Sequence, residues 1–267
     1  MDHTERRELA ETLARLAEDA GRVILDARAE GAAIARKSDG SPVTDADLRC
    51  EAHLLDRLDR MLPELPVVAE ESVAAGRLPD CGRRFLLLDP LDGTREFVAG
   101  SKDFTVNIAV VEDDAPVLGV VHAPAHGRLF LGWAAGVALE RRPDEAVERV
   151  LRTGTDGHGG MVALLSRSHG DETAAALVAR LKPRATRALG SALKFGLIAA
   201  GEGDLYPRFS PTMAWDTAAG QAVLEAAGGV VVGTDKGPLR YRSAAAGRPN
   251  PPFIAAATRA LAEAALG

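Results

Sequence analysis

Apolar residues recur at helical spacing near the start of the chain. Leu9, Leu13, Leu16, Ala20, Val23 and Ile24 fall on one face of a predicted helix spanning residues 5–28. A turn-rich connector follows, Lys37-Ser-Asp-Gly-Ser-Pro-Val-Thr44, and then a second helix whose expected inward face is Leu48, Ala52, Leu55 and Leu62. Thr44 and Asp47 have the spacing of a capping box at the start of that helix. Short apolar runs at 66–69 and 85–88 read as strands, as do 104–111 and 117–121, joined by a turn at 112–116. A further β stretch is expected from Phe130 to about Leu139. Short strands joined by tight turns predict a largely antiparallel sheet in this half.

The pattern changes after residue 140. Residues 141–160 are polar and end in T-G-T-D-G-H-G-G, which lacks the Walker lysine and the Rossmann spacing and is expected to be a mobile loop. Met161 to Leu165 reads as a strand, S-R-S-H follows at 166–169, and Ala174, Leu177, Val178 and Leu181 mark a helix. Another helix is expected from Ser191 to Ala200, with Ser191 and Lys194 on one face at spacing i, i+3. Residues 205–209 are extended, 215–227 form a helix closed by Gly228-Gly229, and 230–232 and 253–256 are strands. Alternating strands and helices predict an α/β half with some parallel pairing. The expected division is an N-terminal α+β half, 1–140, and a C-terminal α/β half, 141–267.

Composition narrows the function classes. The 267 residues are 46% hydrophobic and 26% charged, ordinary for a globular protein. A net charge of -6 speaks against a nucleic-acid polymer as partner, but not against a small phosphorylated ligand in a locally cationic pocket. Two cysteines in a chain of this length do not make a disulfide framework, and the N-terminus has no signal-peptide apolar core. The expectation is a cytoplasmic protein without a membrane segment.

The candidate chemistry centres on R-F-L-L-L-D-P-L-D-G-T-R-E-F, residues 84–97. Asp89 and Asp92 follow a buried strand, and Pro90 and Gly93 allow a sharp turn that aims both carboxylates into one crevice. The Gly93 amide and the Thr94 hydroxyl suit an anionic oxygen. Glu70 and Glu71 repeat the design at the end of the 66–69 strand, and Asp216 opens a helix of the second half. Glu70, Asp89, Asp92 and Asp216 offer hard oxygen donors only, which favours Mg²⁺ over zinc or copper. Crowded carboxylates raise one another's pKa unless two or three cations relieve them, and such cations clamp phosphate and activate water. His122 and His126 are a poor zinc pair, because Pro124 between them breaks the helical face.

A-E-E-S, D-P-L-D-G-T-R-E-F and W-D-T-A-A-G, in this order, resemble the lithium-sensitive, Mg²⁺-dependent phosphatase superfamily that includes inositol monophosphatase, over nearly the whole chain. K-S-D-G-S-P-V-T-D-A-D at 37–47, S-R-S-H at 166–169, the segment 190–209, G-P-L-R-Y at 237–241 and N-P-P-F at 250–253 resemble its 3'(2'),5'-bisphosphate nucleotidase branch of the bacterial sulfate-assimilation type. Arg95 stands where that branch usually has lysine. The resemblance implies a layered αβαβα sandwich, with an antiparallel sheet in the N-terminal half and a mixed sheet in the C-terminal half. It implies Glu70, Asp89, the Leu91 carbonyl, Asp92 and Asp216 as metal ligands, and Asp47 with Thr94 orienting the attacking water, supported by Glu71. It also implies Gly93 and Thr94 amides on the phosphate, with Asp216 reaching the substrate as well. Ser191, Lys194 and Arg208 are the candidates for the nucleotide and its second phosphate.

The implied reaction is adenosine 3',5'-bisphosphate plus water giving AMP and phosphate, with 3'-phosphoadenosine 5'-phosphosulfate as a second candidate substrate. Two alternatives stay open at this point: a phosphatase for inositol or sugar monophosphates using the same metal centre, and a regulatory or binding protein on the same fold. A monomer and a homodimer fit equally well.

Overall fold

The computed structural model describes residues 3–37, 40–133, 136–143, 145, 147–154, 159–241 and 247–267. Ser38 and Asp39 of the connector, and residues 155–158 of the segment expected to be a mobile loop, lie outside the described residues. Helix α1 (His3–Glu30) buries Leu13, Leu16, Ala20 and Ile24, the face expected from periodicity. Strands β1 (Ile34–Arg36) and β2 (Pro42–Thr44) pair antiparallel and lead into α2 (Asp45–Met61).

Helix α2 is turned relative to expectation. Leu48 is 53% exposed and Ala52 is exposed, while Leu55 and Leu62 are only half-buried. The buried face is Ala46, Asp47, Cys50, Glu51, Leu54 and Leu58. Periodicity misplaces the face because two of its members are carboxylates whose burial is supported by hydrogen bonds.

A seven-stranded sheet comes next: β3 (Val67–Ala69), then helix α3 (Glu70–Ala74), β4 (Arg84–Asp92), helix α4 (Thr94–Val98), β5 (Thr105–Glu112), β6 (Ala115–Ala123), β7 (Arg128–Trp133), β8 (Val137–Arg141) and β9 (Arg149–Val150). The strands lie in sequence order, antiparallel throughout except for the parallel β3/β4 pair. The single β stretch expected over 130–139 is thus parts of two paired strands.

The second half forms a mixed five-stranded sheet. Its elements are β10 (Val162–Ser166), α5 (Glu172–Leu181), β11 (Ala185–Leu189), α6 (Leu193–Ala199), β12 (Leu205–Arg208), α7 (Ala214–Ala226), β13 (Val230–Gly233), β14 (Phe253–Ala256) and α8 (Arg259–Leu266). The spatial order is β11-β10-β12-β14-β13, parallel from β11 to β12 and antiparallel through β14.

The layers stack helix, sheet, helix, sheet, helix. Helices α1 and α2 pack on one face of the large sheet; α6 and α7 lie between the sheets; α5 and α8 cover the outer face of the small one. Strand β4 explains its own apolar run: Phe85 and Leu87 face the core shared with α6 and α7, Leu86 and Leu88 the core under α1 and α2. A strand covered on both faces is continuously hydrophobic. Helix α7 lies so close to the sheet that a Cβ on Gly119 would fall 2.2 Å from the Ala219 carbonyl oxygen. No helix among the described residues is long and apolar enough to cross a membrane.

Candidate active site

Four element ends meet at one crevice between the two sheets. The pairing register of β4 with β5 shifts between Asp89 and Asp92, so the strand bulges there. Asp89 Oδ1 accepts the Leu91 amide at 3.0 Å across this bulge, so Pro90 and Leu91 stay within β4 in place of the sharp turn expected from the sequence. Gly93 then takes φ 92°, and a Cβ there would lie 2.9 Å from the Asp103 carbonyl oxygen, so glycine is required on both counts. Thr94 opens α4 with backbone amides that have no intrahelical partner.

Helix α2 brings Asp47 underneath. Its Oδ2 accepts from Thr44 N (2.8 Å) and Thr44 Oγ1 (2.6 Å), and its Oδ1 accepts from Thr94 Oγ1 at 2.9 Å. Thr94 Oγ1 also lies 3.2 Å from the Leu91 carbonyl. Burial raises the Asp47 pKa, opposed by these Thr44 and Thr94 hydrogen bonds. Asp47 lies behind the crevice wall and reaches it through the Thr94 hydroxyl.

Glu70 and Glu71 begin α3, where Lys37 Nζ sits 2.6 Å from Glu70 Oε1 and 2.7 Å from Glu71 Oε1. Glu70 lines the crevice; Glu71 stands behind it, its amide donating to Glu51 Oε2 at 2.8 Å. Burial pushes the Glu71 carboxyl up to about 7 against the pull of Lys37. Asp216 enters from the opposite side in the first turn of α7, its Oδ2 accepting the Met213 amide at 2.7 Å. Asn250, through Met213 O (2.7 Å) and Thr217 Oγ1 (2.9 Å), and Tyr241, through Thr217 Oγ1 (3.1 Å) and Gln221 Oε1 (2.7 Å), hold that helix end. This is what the N-P-P-F and G-P-L-R-Y segments do.

Glu70, Asp89, Leu91, Asp92, Gly93, Thr94 and Asp216 therefore line the crevice together with Ser191, Lys194 and Arg208. The expected shared helical face of Ser191 and Lys194 is not what joins them. Ser191 precedes α6 in the left-handed region, with φ 52°, and its carbonyl accepts from Lys194 Nζ at 2.6 Å. Lys194 is buried with Nζ 4.8 Å from the Tyr206 ring centroid; burial lowers its pKa to about 8, against the attraction of Asp92. Arg208 is buried and donates to the Ser210 and Pro211 carbonyls.

Four residues that sequence reasoning did not assign belong here. Lys37 neutralises Glu70 and Glu71 and stood within a quoted segment. Asn107 donates to Asp92 Oδ2 at 3.2 Å, and its signal was a polar residue inside the apolar run of β5. His169 and Tyr206 line the crevice. Burial, then the charges of Arg208 and Arg95, hold the His169 imidazole below its usual range.

The donor set fits a hard divalent cation. Asp89 and Asp216 are pushed well above the usual carboxylate range by burial and then by one another's neighbours Glu70 and Asp92. Asp92 is raised to about 6 by burial, with Lys194 opposing. The carboxylates line a common crevice without closing into a cage: among the described residues no three acidic, His or Cys side chains converge as a ready-made metal site. Asp89, Asp92 and Asp216 each engage one oxygen in hydrogen bonds and leave the other without a hydrogen-bond partner among the described residues.

Comparison with known proteins agrees. Residues 5–265 match the inositol monophosphatase family. The 3'(2'),5'-bisphosphate nucleotidase CysQ of Salmonella typhimurium is 40% identical over 222 residues, 82% of this chain and 88% of that one. CysQ of Escherichia coli K12 is 39% identical, over 78% of this chain and 82% of its own. The crystal structure of CysQ from Bacteroides thetaiotaomicron superposes with a TM-score of 0.77 at 32% identity, covering 93% and 97% of the two chains. An inositol monophosphatase from Thermotoga maritima gives 0.78 at 25% identity, covering 97% and 95%. The chain belongs to the inositol monophosphatase family, and is an enzyme of the phosphatase class.

Proposed function

We propose that this protein is a 3'(2'),5'-bisphosphate nucleotidase that removes the 3'-phosphate of adenosine 3',5'-bisphosphate, giving AMP and phosphate, in the cytoplasm. The observation that carries the reading is the pairing of chemistries within one crevice. Four carboxylates, Glu70, Asp89, Asp92 and Asp216, line the same crevice as two basic side chains, Lys194 and Arg208. A phosphate held at the carboxylates through cations leaves Lys194 and Arg208 for a second phosphate. The identity to CysQ enzymes supports the same substrate.

In this reading Glu70, Asp89, the Leu91 carbonyl, Asp92 and Asp216 hold two or three Mg²⁺ ions. Bound there, Mg²⁺ would neutralise the phosphate and activate water for in-line attack. Thr94 Oγ1 orients that water; Asp47 Oδ1, already accepting from it, fixes the hydroxyl's direction, and Glu71 supports the arrangement from behind with Lys37. The free amides of Gly93 and Thr94 receive the phosphate. Ser191, Lys194 and Arg208 hold the nucleotide end, with Asp216 contributing from α7. The half up to residue 140 thus supplies most ligands, and the half from 141 supplies substrate contacts and Asp216. The 5'-phosphosulfate analogue fits the same basic side chains.

The test is phosphate release with Mg²⁺ from adenosine 3',5'-bisphosphate, 3'-phosphoadenosine 5'-phosphosulfate and inositol 1-phosphate, each with and without lithium. The expected result is release from the nucleotides far above the inositol ester. Preference for the inositol ester would keep the acidic centre and overturn the substrate.

A further inference from the structure

We propose that Glu96 is a positioning residue that sets selectivity for the nucleotide, acting through Ser168 and Gly190. This deepens the nucleotidase reading and rests on it. Glu96 lies two residues beyond Thr94 and is only 3% exposed. Its Oε1 accepts a hydrogen bond from Ser168 Oγ, and the Ser168 carbonyl in turn accepts from Arg95 Nη1 at 3.4 Å. Helix α4 is thereby joined to the loop after β10 that ends in His169. A third link lies alongside: Arg167 reaches Asp103 Oδ2 at 2.8 Å and Ser101 Oγ at 2.9 Å.

The opposite flank of Glu96 supports the turn that carries Ser191 and Lys194. A Cβ on Gly190 would fall 2.6 Å from Glu96 Cγ and 2.5 Å from the Asp103 carbonyl oxygen. The chain at Gly190 is therefore pressed directly onto Glu96, immediately before Ser191. Ser191 holds φ 52°, a conformation that a residue with a side chain keeps only when its surroundings over-determine it. Its carbonyl then accepts from Lys194. One buried carboxylate thus braces both the His169 loop and the Ser191–Lys194 turn. The D-G-T-R-E-F and S-R-S-H segments, far apart in sequence, are physical partners.

Loosening this brace leaves Asp89, Asp92 and the Asp47–Thr94 pair in place, because none of them bonds to Ser168. It therefore affects substrates that reach both the His169 loop and the Ser191–Lys194 turn, and spares small esters. The experiment compares wild type, Ser168→Ala and Ser168→Thr on adenosine 3',5'-bisphosphate and on p-nitrophenyl phosphate. Loss of a hydrogen bond to a buried carboxylate predicts a KM for the bisphosphate raised about ten-fold or more in Ser168→Ala. Its kcat stays near wild type, kcat/KM for p-nitrophenyl phosphate stays within about two-fold, and Ser168→Thr restores the KM. An equal loss on both substrates, or an unchanged KM, overturns the brace. Wild-type protein that cleaves inositol 1-phosphate and ignores the bisphosphate overturns the nucleotidase reading and the brace with it. Wild-type turnover of the bisphosphate with an unchanged Ser168→Ala KM removes the brace alone.

Discussion

Asp92→Asn should make the metal-free protein more stable and the enzyme far less active. The substitution keeps the shape and an oxygen for the Ala192 amide, 2.6 Å from Asp92 Oδ2, while removing one negative charge. Burial raises the Asp92 carboxyl from 3.8 to about 6. A group whose folded pKa is raised takes stability away once it ionises. That loss is complete above about 6 and absent below the ordinary carboxylate value. At neutral pH the penalty is at most ~3 kcal/mol, from about 1.4 kcal/mol per pKa unit. At about 2–4 °C per kcal/mol for a chain of this size, Asp92→Asn should melt several degrees higher in chelator. Saturating Mg²⁺ should close most or all of that gap, since binding at about 100 times Kd contributes ~2.7 kcal/mol to wild type. The variant should gain little, and its kcat/KM should fall by about 100-fold or more, the equivalent of ~3 kcal/mol. Thermal unfolding with and without Mg²⁺, alongside phosphate release, reads all of this. Equal Mg²⁺ stabilisation of both proteins, or a variant less stable in chelator, would refute the account of Asp92 as a carboxylate whose burial is costly without a cation.

Asp89→Asn should abolish phosphate release at every Mg²⁺ concentration; surviving activity would count against metal-assisted attack. Gly93→Ala should destabilise by at least ~1 kcal/mol and lower kcat, because φ 92° and the 2.9 Å approach to Asp103 O both disfavour a Cβ. Leu54→Ala should cost about 2–5 kcal/mol and Leu48→Ala under about 0.5 kcal/mol in chemical denaturation, the reverse of what apolar periodicity expects. Glu140→Ala should cost about 3–5 kcal/mol, since this fully buried carboxylate receives Arg128 at 2.6 Å and Arg142 at 2.7 Å. A melting temperature unchanged in Glu140→Ala would show the network to be without consequence.

The acidic set was legible because it is local. Asp89, Asp92, Gly93 and Thr94 sit within one strand and its turn, and the types of four neighbouring residues determine that geometry. Glu70 and Asp216 open helices, and local sequence marks helix starts well. Strand and helix positions in both halves followed from short-range periodicity for the same reason.

Contacts between distant segments decided the rest. Asp47 and Glu51 are buried on α2 because Thr94 and Ser72 meet them from 47 and 21 residues away, so apolar counting turned the helix wrongly. Ser191 stands outside α6 with φ 52°, and the chain just before it, at Gly190, packs against Glu96 and Asp103. Lys37 closes on Glu70 from 33 residues away, and the Ala192 amide reaches Asp92 from 100. The sequence by itself singled out Glu70, Asp89, Asp92 and Asp216, which line one crevice, and the strand and helix order behind the two sheets. The tertiary structure alone decided which buried charges find partners and how Lys194 and Arg208 come to share the crevice with the carboxylates. A buried polar group is stable only beside its partner, and that partner is chosen by packing rather than by neighbours along the chain.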